Sequence, residues 1–157
     1  MPIDKNELRR VMGHFATGVT VITTRDDKGN PYGLTANAVS SVSLVPPLIL
    51  ICVDKKCDTY PYFAASKVFV VNVLSEGQER ISRTFATTGI EKFDGIGYQK
   101  SELGCALLDD AVGHLECKIV NEVDAGDHTI YVGEVNSAAA EDVRPLVFFR
   151  GGYRKLD

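Results

Sequence analysis

The sequence lacks most of the features that would assign a class at a glance. No stretch approaches the about 18 uninterrupted apolar residues of a membrane-spanning helix. The segment up to Val19 has no apolar run of the kind a secretory signal carries, so a cytoplasmic protein with reduced thiols is expected. Of the four cysteines, Cys52, Cys57, Cys105 and Cys117, no two form a C-x-x-C pair, and the three histidines show no zinc-ligand spacing. A basic excess is missing as well. Lys and Arg number 17 against 21 Asp and Glu, a formal charge of −4, which argues against a general nucleic-acid binder. Neither G-x-G-x-x-G nor G-x-x-x-x-G-K-[ST] occurs, so a nucleotide cofactor would have to bind by another route.

What is present is ordinary globular material. Hydrophobic residues make up 45% and charged residues 24% of 157. A chain of that size buries roughly 70% of its unfolded surface, enough for one domain spanning residues 1–157. Asp4 with Glu7 predicts a capping box ahead of an amphipathic helix over 4–16, with Leu8, Val11, Met12 and Phe15 at helical spacing. Strands are expected over 19–24, 32–37, 48–53, 68–74, 112–123, 128–137 and 146–149, where β-branched and apolar residues concentrate between turn residues. Pro46-Pro47 should open a strand, since neither can donate to a ladder. A short helix fits 59–65, and Ser75 is the expected cap of another reaching Ala86. Residues 87–110 show no clear period and read as a long loop with at most one short element. Strand follows strand through short turns, which predicts an antiparallel sheet, and closing it into a barrel would remove its edges.

Four segments carry candidate chemistry. Residues 33–47 are dense in small and hydroxyl side chains, either a polar connection or a stretch whose N–H groups can approach a planar or phosphorylated ligand. Asp54-Lys55-Lys56-Cys57-Asp58-Thr59, ahead of a helix start, suits either a solvated turn or an anion site. In Ser82-Arg83-Thr84-Phe85, Arg83 can pair with a phosphate and Phe85 can pack against a ring; an amphipathic helix with Phe85 in the core explains them equally. Gly126-Asp127-His128 puts a histidine beside an acid in a tight turn, where it either orients a substrate or makes a structural hydrogen bond.

Taken in order, these pieces resemble the short-chain flavin reductase family, which has the FMN-binding split-barrel fold and includes reductase components of two-component flavin monooxygenases. The likeness runs from about Leu8 to Tyr153. It is carried by Phe15-Ala16-Thr17-Gly18-Val19-Thr20-Val21-Ile22, Tyr32-Gly33-Leu34-Thr35-Ala36-Asn37, Ser41-Val42-Ser43-Leu44-Val45-Pro46-Pro47, Phe69-Val70-Val71-Asn72-Val73-Leu74, Asp124-Ala125-Gly126-Asp127-His128-Thr129-Ile130-Tyr131-Val132-Gly133-Glu134-Val135 and Pro145-Leu146-Val147-Phe148-Phe149-Arg150-Gly151-Gly152-Tyr153.

The resemblance implies a mainly β fold with flanking helices, an antiparallel split β-barrel. It implies NAD(P)H-dependent hydride transfer to FMN or FAD, and a homodimer with the flavin near the subunit interface. Thr35, Ala36, Asn37, Ser41, Val42 and Ser43 match the segment lining the flavin ring and ribityl chain. Lys55, Lys56 and Thr59 fall at the phosphate end, and Ser82, Arg83 and Phe85 match a second flavin-contacting segment. Gly126, Asp127 and His128 match the nicotinamide-nucleotide motif, with His128 the catalytic candidate as the group that orients NADH or NADPH. Tyr153 and Arg154 complete the implied site. The implied partner is a flavin-dependent monooxygenase that receives reduced flavin. A flavoredoxin-like electron-transfer protein with tightly bound FMN shares the fold and stays open as the alternative.

Overall fold

The computed structural model describes all residues from Met1 to Asp157. Its first half holds α1 (Lys5–Met12), β1 (Thr17–Gly18), β2 (Thr20–Arg25), β3 (Pro31–Ala36), β4 (Val39–Leu44) and β5 (Pro47–Asp54). Then come α2 (Tyr60–Ser66), β6 (Val68–Val73) and α3 (Glu79–Phe85), and a small hairpin of β7 (Tyr98–Lys100) and β8 (Ala106–Leu108). The longest hairpin joins β9 (Gly113–Ala125) to β10 (His128–Ala140), before β11 (Val147–Phe149) and β12 (Gly152–Arg154).

Seven strands make one antiparallel sheet in the order β3-β2-β6-β9-β10-β5-β4. The β-branched runs of β2 and β6 each bury five consecutive residues, as strands covered on both faces do. One core cluster joins Ile22, Ile51, Val53, Phe69 and Tyr131 of the sheet to Phe63 of α2. A second gathers Val19, Val21, Leu74, Phe85, Leu108 and Leu146. The end strands β3 and β4 are consecutive in the chain, yet no ladder joins them. The sheet is therefore open at that seam rather than closed as a continuous ladder, and Asn37-Ala38 cross it.

The expected strands are all present, with ends shifted by a few residues. Four local expectations change. The first helix stops at Met12, where Gly13 takes the C-cap and gives its N–H to Arg9 O (2.9 Å); at its start the Asp4 carboxylate accepts from Asn6 N–H (2.7 Å) and Glu7 pairs with Arg10 (2.8 Å) instead of closing a capping box. Ser75 does not cap α3; it bridges Pro145, and its N–H donates to Gln78 Oε1 (2.9 Å), so the helix starts at Glu79. Residues 39–44, within the expected polar connection, form strand β4 with a bulge between Ser41 and Ser43. Residues 87–110 hold the β7–β8 hairpin, pinned by buried polar groups that no periodicity reveals. Thr23 Oγ1 donates to Ala106 O (2.7 Å), Leu108 N–H donates to Asn72 Oδ1 (2.9 Å), and Leu103 N–H donates to Glu116 Oε2 (3.0 Å).

Gly133 marks the tightest crossing in β10. A Cβ there would lie 2.6 Å from Phe69 Cζ and 2.7 Å from Cys117 Cβ, both in the core. Gly133→Ala is expected to lower stability by about 1–3 kcal/mol through overpacking, read from urea unfolding; an unmoved midpoint would mean the core has room there.

Candidate active site

The sheet register brings two of the candidate segments together. His128 sits opposite Asp54 in the β10–β5 ladder, so the end of β5 and the β9–β10 turn share one rim of the barrel. Gly126 makes that turn at φ +65, a value that glycine adopts without strain. Lys55 clamps it: its N–H donates to Asp127 O (3.0 Å), and its ammonium donates to Gly126 O (2.8 Å) and pairs with Asp124. Lys56 is exposed beside it, with its N–H given to Asp54 Oδ1 (2.8 Å). His128 Nδ1 and Asp127 Oδ1 are 2.7 Å apart. The hydrogen bond from His128, and then its charge, hold the Asp127 carboxyl below its ordinary range. With Asp127 ionised, Nδ1–H donates to it and Nε2 is left to meet a ligand.

A second group forms along β3. Thr35 Oγ1 donates to Ser82 O (2.6 Å), Ser82 Oγ shares a hydrogen bond with the Tyr153 hydroxyl (2.7 Å), and the Arg83 guanidinium stacks over the Tyr153 ring at 4.9 Å. Two residues earlier, Gly33 O accepts from Thr59 Oγ1 (2.9 Å) and from Lys92 Nζ (3.0 Å). Lys92 also donates to Asp58 Oδ1 (3.0 Å). Burial pushes the Asp58 carboxyl up, but the hydrogen bond and charge of Lys92 outweigh it and leave the group below its ordinary range. Nearby, the Tyr32 and Tyr62 rings stack at 3.7 Å, and the interaction of its hydroxyl with that of Tyr62, followed by burial, pushes the Tyr32 phenol up to about 12. Lys92 belongs to the aperiodic segment, where the one sequence signal of inward packing is its apolar neighbour Phe93.

A cavity of about 570 Å³ opens beside the seam, lined by Met12, Phe15, Thr17, Asn37, Val39 and Cys52 among others. Its walls are largely apolar, as ligand pockets are. The buried Thr17 hydroxyl in this wall has no hydrogen-bond partner. A somewhat larger cavity, about 620 Å³, lies among Leu107, Asp110, His114 and Ala140. It contains none of the candidate residues, and its His114 ring is bonded to Leu108 O (3.0 Å), so chemistry favours the seam over size.

Residues 12–157 match the flavin reductase-like domain. The chain belongs to that family. It is thereby an enzyme of the flavin reductase class built on the split barrel. The reductase component of a 4-nitrophenol 4-monooxygenase/4-nitrocatechol 2-monooxygenase from Rhodococcus opacus is 39% identical over 152 residues, covering 97% of this chain and 81% of that one. An NADH-dependent FAD reductase from Streptomyces globisporus is 44% identical over 156 residues, covering 96% and 85%. The solved NADH:FAD oxidoreductase of Streptomyces globisporus C-1027, in complex with NAD and FAD fragments, superposes with a TM-score of 0.93. It is 42% identical, with 98% of this chain and 93% of that one covered.

The residues present fit a flavin. In this flavin reductase the seam offers apolar walls for a flat ring, the unpartnered Thr17 hydroxyl for a polar edge, and Asn37 at its mouth. Ala36 packs against the core beneath, while Ser41 and Val42 are exposed on β4 and Ser43 is half-buried. The side chains of Thr59, Ser82 and Phe85 are buried. Thr59 and Ser82 are bonded to protein partners, and Phe85 packs under Gly33, where a Cβ would meet its ring at 2.9 Å. All three are held within the protein by these contacts. Arg83, Tyr153 and Arg154 remain at the surface or half-buried, with Arg154 bonded only to Tyr153 O (3.1 Å).

Thr17→Val tests the orphan hydroxyl. Removing a buried group with no partner is expected to leave stability unchanged or raise it by up to about 1–3 kcal/mol, while weakening flavin binding in a fluorescence titration. A destabilised variant with unaltered flavin affinity would show that the hydroxyl serves the fold.

Proposed function

We propose that the protein takes a hydride from NADH or NADPH, gives it to FMN or FAD held at the seam, and releases reduced flavin to a flavin-dependent monooxygenase. The observation that carries this reading is the meeting of the Lys55–Lys56 loop with the Asp127–His128 turn, a cationic loop beside a histidine held in one tautomer. The flavin and nicotinamide supply the redox chemistry themselves, a hydride passing between their rings.

The chain's residues bind and orient. Lys55 and Lys56 give a cationic rim for phosphate oxygens, and the adjoining backbone is fixed by Asp54 and Asp127. Asn37, Ser41 and Ser43 offer polar groups along the seam, and Met12 and Phe15 shield it from water. His128, its Nδ1–H given to Asp127, presents Nε2 as an acceptor for the nicotinamide carboxamide. Alignment of this kind accounts for up to ~7–11 kcal/mol of a barrier, and no proton transfer by the protein is needed for the hydride step.

The protein works as a homodimer. Helix α1 buries none of its residues, and Leu8, Val11, Met12 and Phe15 are all more than half exposed. Leu44 and Val45, at the β4–β5 tip, are 90% and 93% exposed. Apolar groups of that number on a single chain mark an interaction surface, and here they flank the seam. The protein acts in the cytoplasm: all four thiols are free, and no helix is long and apolar enough to cross a membrane.

NADH oxidation by the purified protein, followed by loss of the reduced nicotinamide's absorbance, tests the activity. Turnover that requires added FMN or FAD is expected. A protein that purifies yellow and turns over little would instead be a carrier with tightly held FMN, and a colourless inert one would contradict flavin chemistry altogether. His128→Ala is expected to raise KM for NADH about tenfold, equivalent to about 1.4 kcal/mol, with flavin affinity unchanged; an unmoved KM would remove His128 from nicotinamide binding.

A further inference from the structure

The aperiodic segment between α3 and β7 contributes one charged group to the interior. The side chain of Lys92 is only 9% exposed, and its ammonium has two partners, Gly33 O and Asp58 Oδ1, both at 3.0 Å. Gly33 lies on β3, the strand that carries Thr35 and leads to Asn37. Asp58 precedes Thr59 in the loop that carries Lys55 and Lys56. Thr59 donates to the same Gly33 carbonyl (2.9 Å), so Lys92 and Thr59 fasten the phosphate-end loop to the ring-end strand at one atom. Asp58 is also an acid in a loop otherwise suited to an anion, and its side chain is 40% exposed. Left alone, its charge would repel a phosphate bound to that loop, because unlike charges within a few ångströms attract and like charges disfavour each other.

We propose that Lys92 is a positioning residue for the phosphate end of the flavin, neutralising Asp58 and fixing the 55–59 loop against Gly33. The inference rests on the reading above that this loop receives the phosphate. Lys92 does not touch the flavin; it acts through Asp58 and Gly33. Removal of the ammonium leaves the partly exposed Asp58 carboxylate without its partner, an arrangement that loosens the loop and disfavours a bound anion.

The test is NADH-driven turnover with FMN and with riboflavin, which carries the same ring without the phosphate, by the wild type and by Lys92→Met, Asp58→Asn and the double variant. Lys92→Met is expected to raise KM for FMN by about tenfold or more while kcat and the KM for riboflavin stay within about twofold. The double variant is expected to recover most of the FMN KM, since the unpaired carboxylate is gone. A rise shared equally by FMN and riboflavin, or a double variant no better than Lys92→Met, overturns the proposal. If Lys92→Met does not fold, Asp58→Asn decides: an FMN KM that holds or falls supports the proposal, and a rise of about tenfold confined to FMN overturns it. Failure of the underlying reading looks different, because a wild type with the same KM for FMN and riboflavin places no phosphate at this loop.

Discussion

The β9–β10 ladder is the constraint on which the rest of the molecule depends. Each strand is 13 residues long, and the hairpin is the sole link between the two halves of the main sheet. β9 takes β6 and, through it, β2 and β3; β10 takes β5 and, through it, β4. Because side chains alternate along a strand, a slip of one residue in this hairpin would exchange Tyr131 and Val132 between core and surface and move His128 off Asp54. Register is held by close packing, with Gly133 fitted between Phe69 and Cys117, and by buried polar anchors such as Glu116, which accepts from Leu103 N–H and Ser137 Oγ.

The site follows from the same geometry. The open seam lies between strands that are neighbours in the chain and ends of the sheet, so unladdered backbone and an apolar cavity occur in one place. The hairpin turn delivers the Asp127–His128 pair to the loop after β5, where Lys55 ties the two together. A carbonyl in β3 collects Thr59 and Lys92. A mild overall charge is compatible with this arrangement, because the cations that matter are local and positioned, and acids such as Asp58 and Asp124 are matched against them.

Much of this was legible in the sequence. The β-branched runs of β2 and β6, the apolar run of β5 and the Gly126 turn announce themselves by composition, and the motifs in their order point to the flavin reductase family. Three things were not. The polar groups that organise the interior, Asn72, Glu116 and Lys92, have no periodicity, since their partners, backbone atoms and side chains alike, lie more than 10 residues away. The short β7–β8 hairpin is fixed by those anchors rather than by alternation. The hydroxyls of Thr59 and Ser82 read as ligand contacts from sequence, yet both are turned to the protein, because a small polar side chain serves equally well for either and only burial separates the two.

Hydrogen–deuterium exchange with added ligands probes most directly whether segments distant in sequence form one site. FMN is expected to slow exchange in residues 35–43 and 54–59 together, and NAD⁺ added with FMN to extend that protection to 126–128. Protection confined to residues 107–114 around the larger cavity, or protection of one of these segments without the others, would contradict a single shared site at the seam.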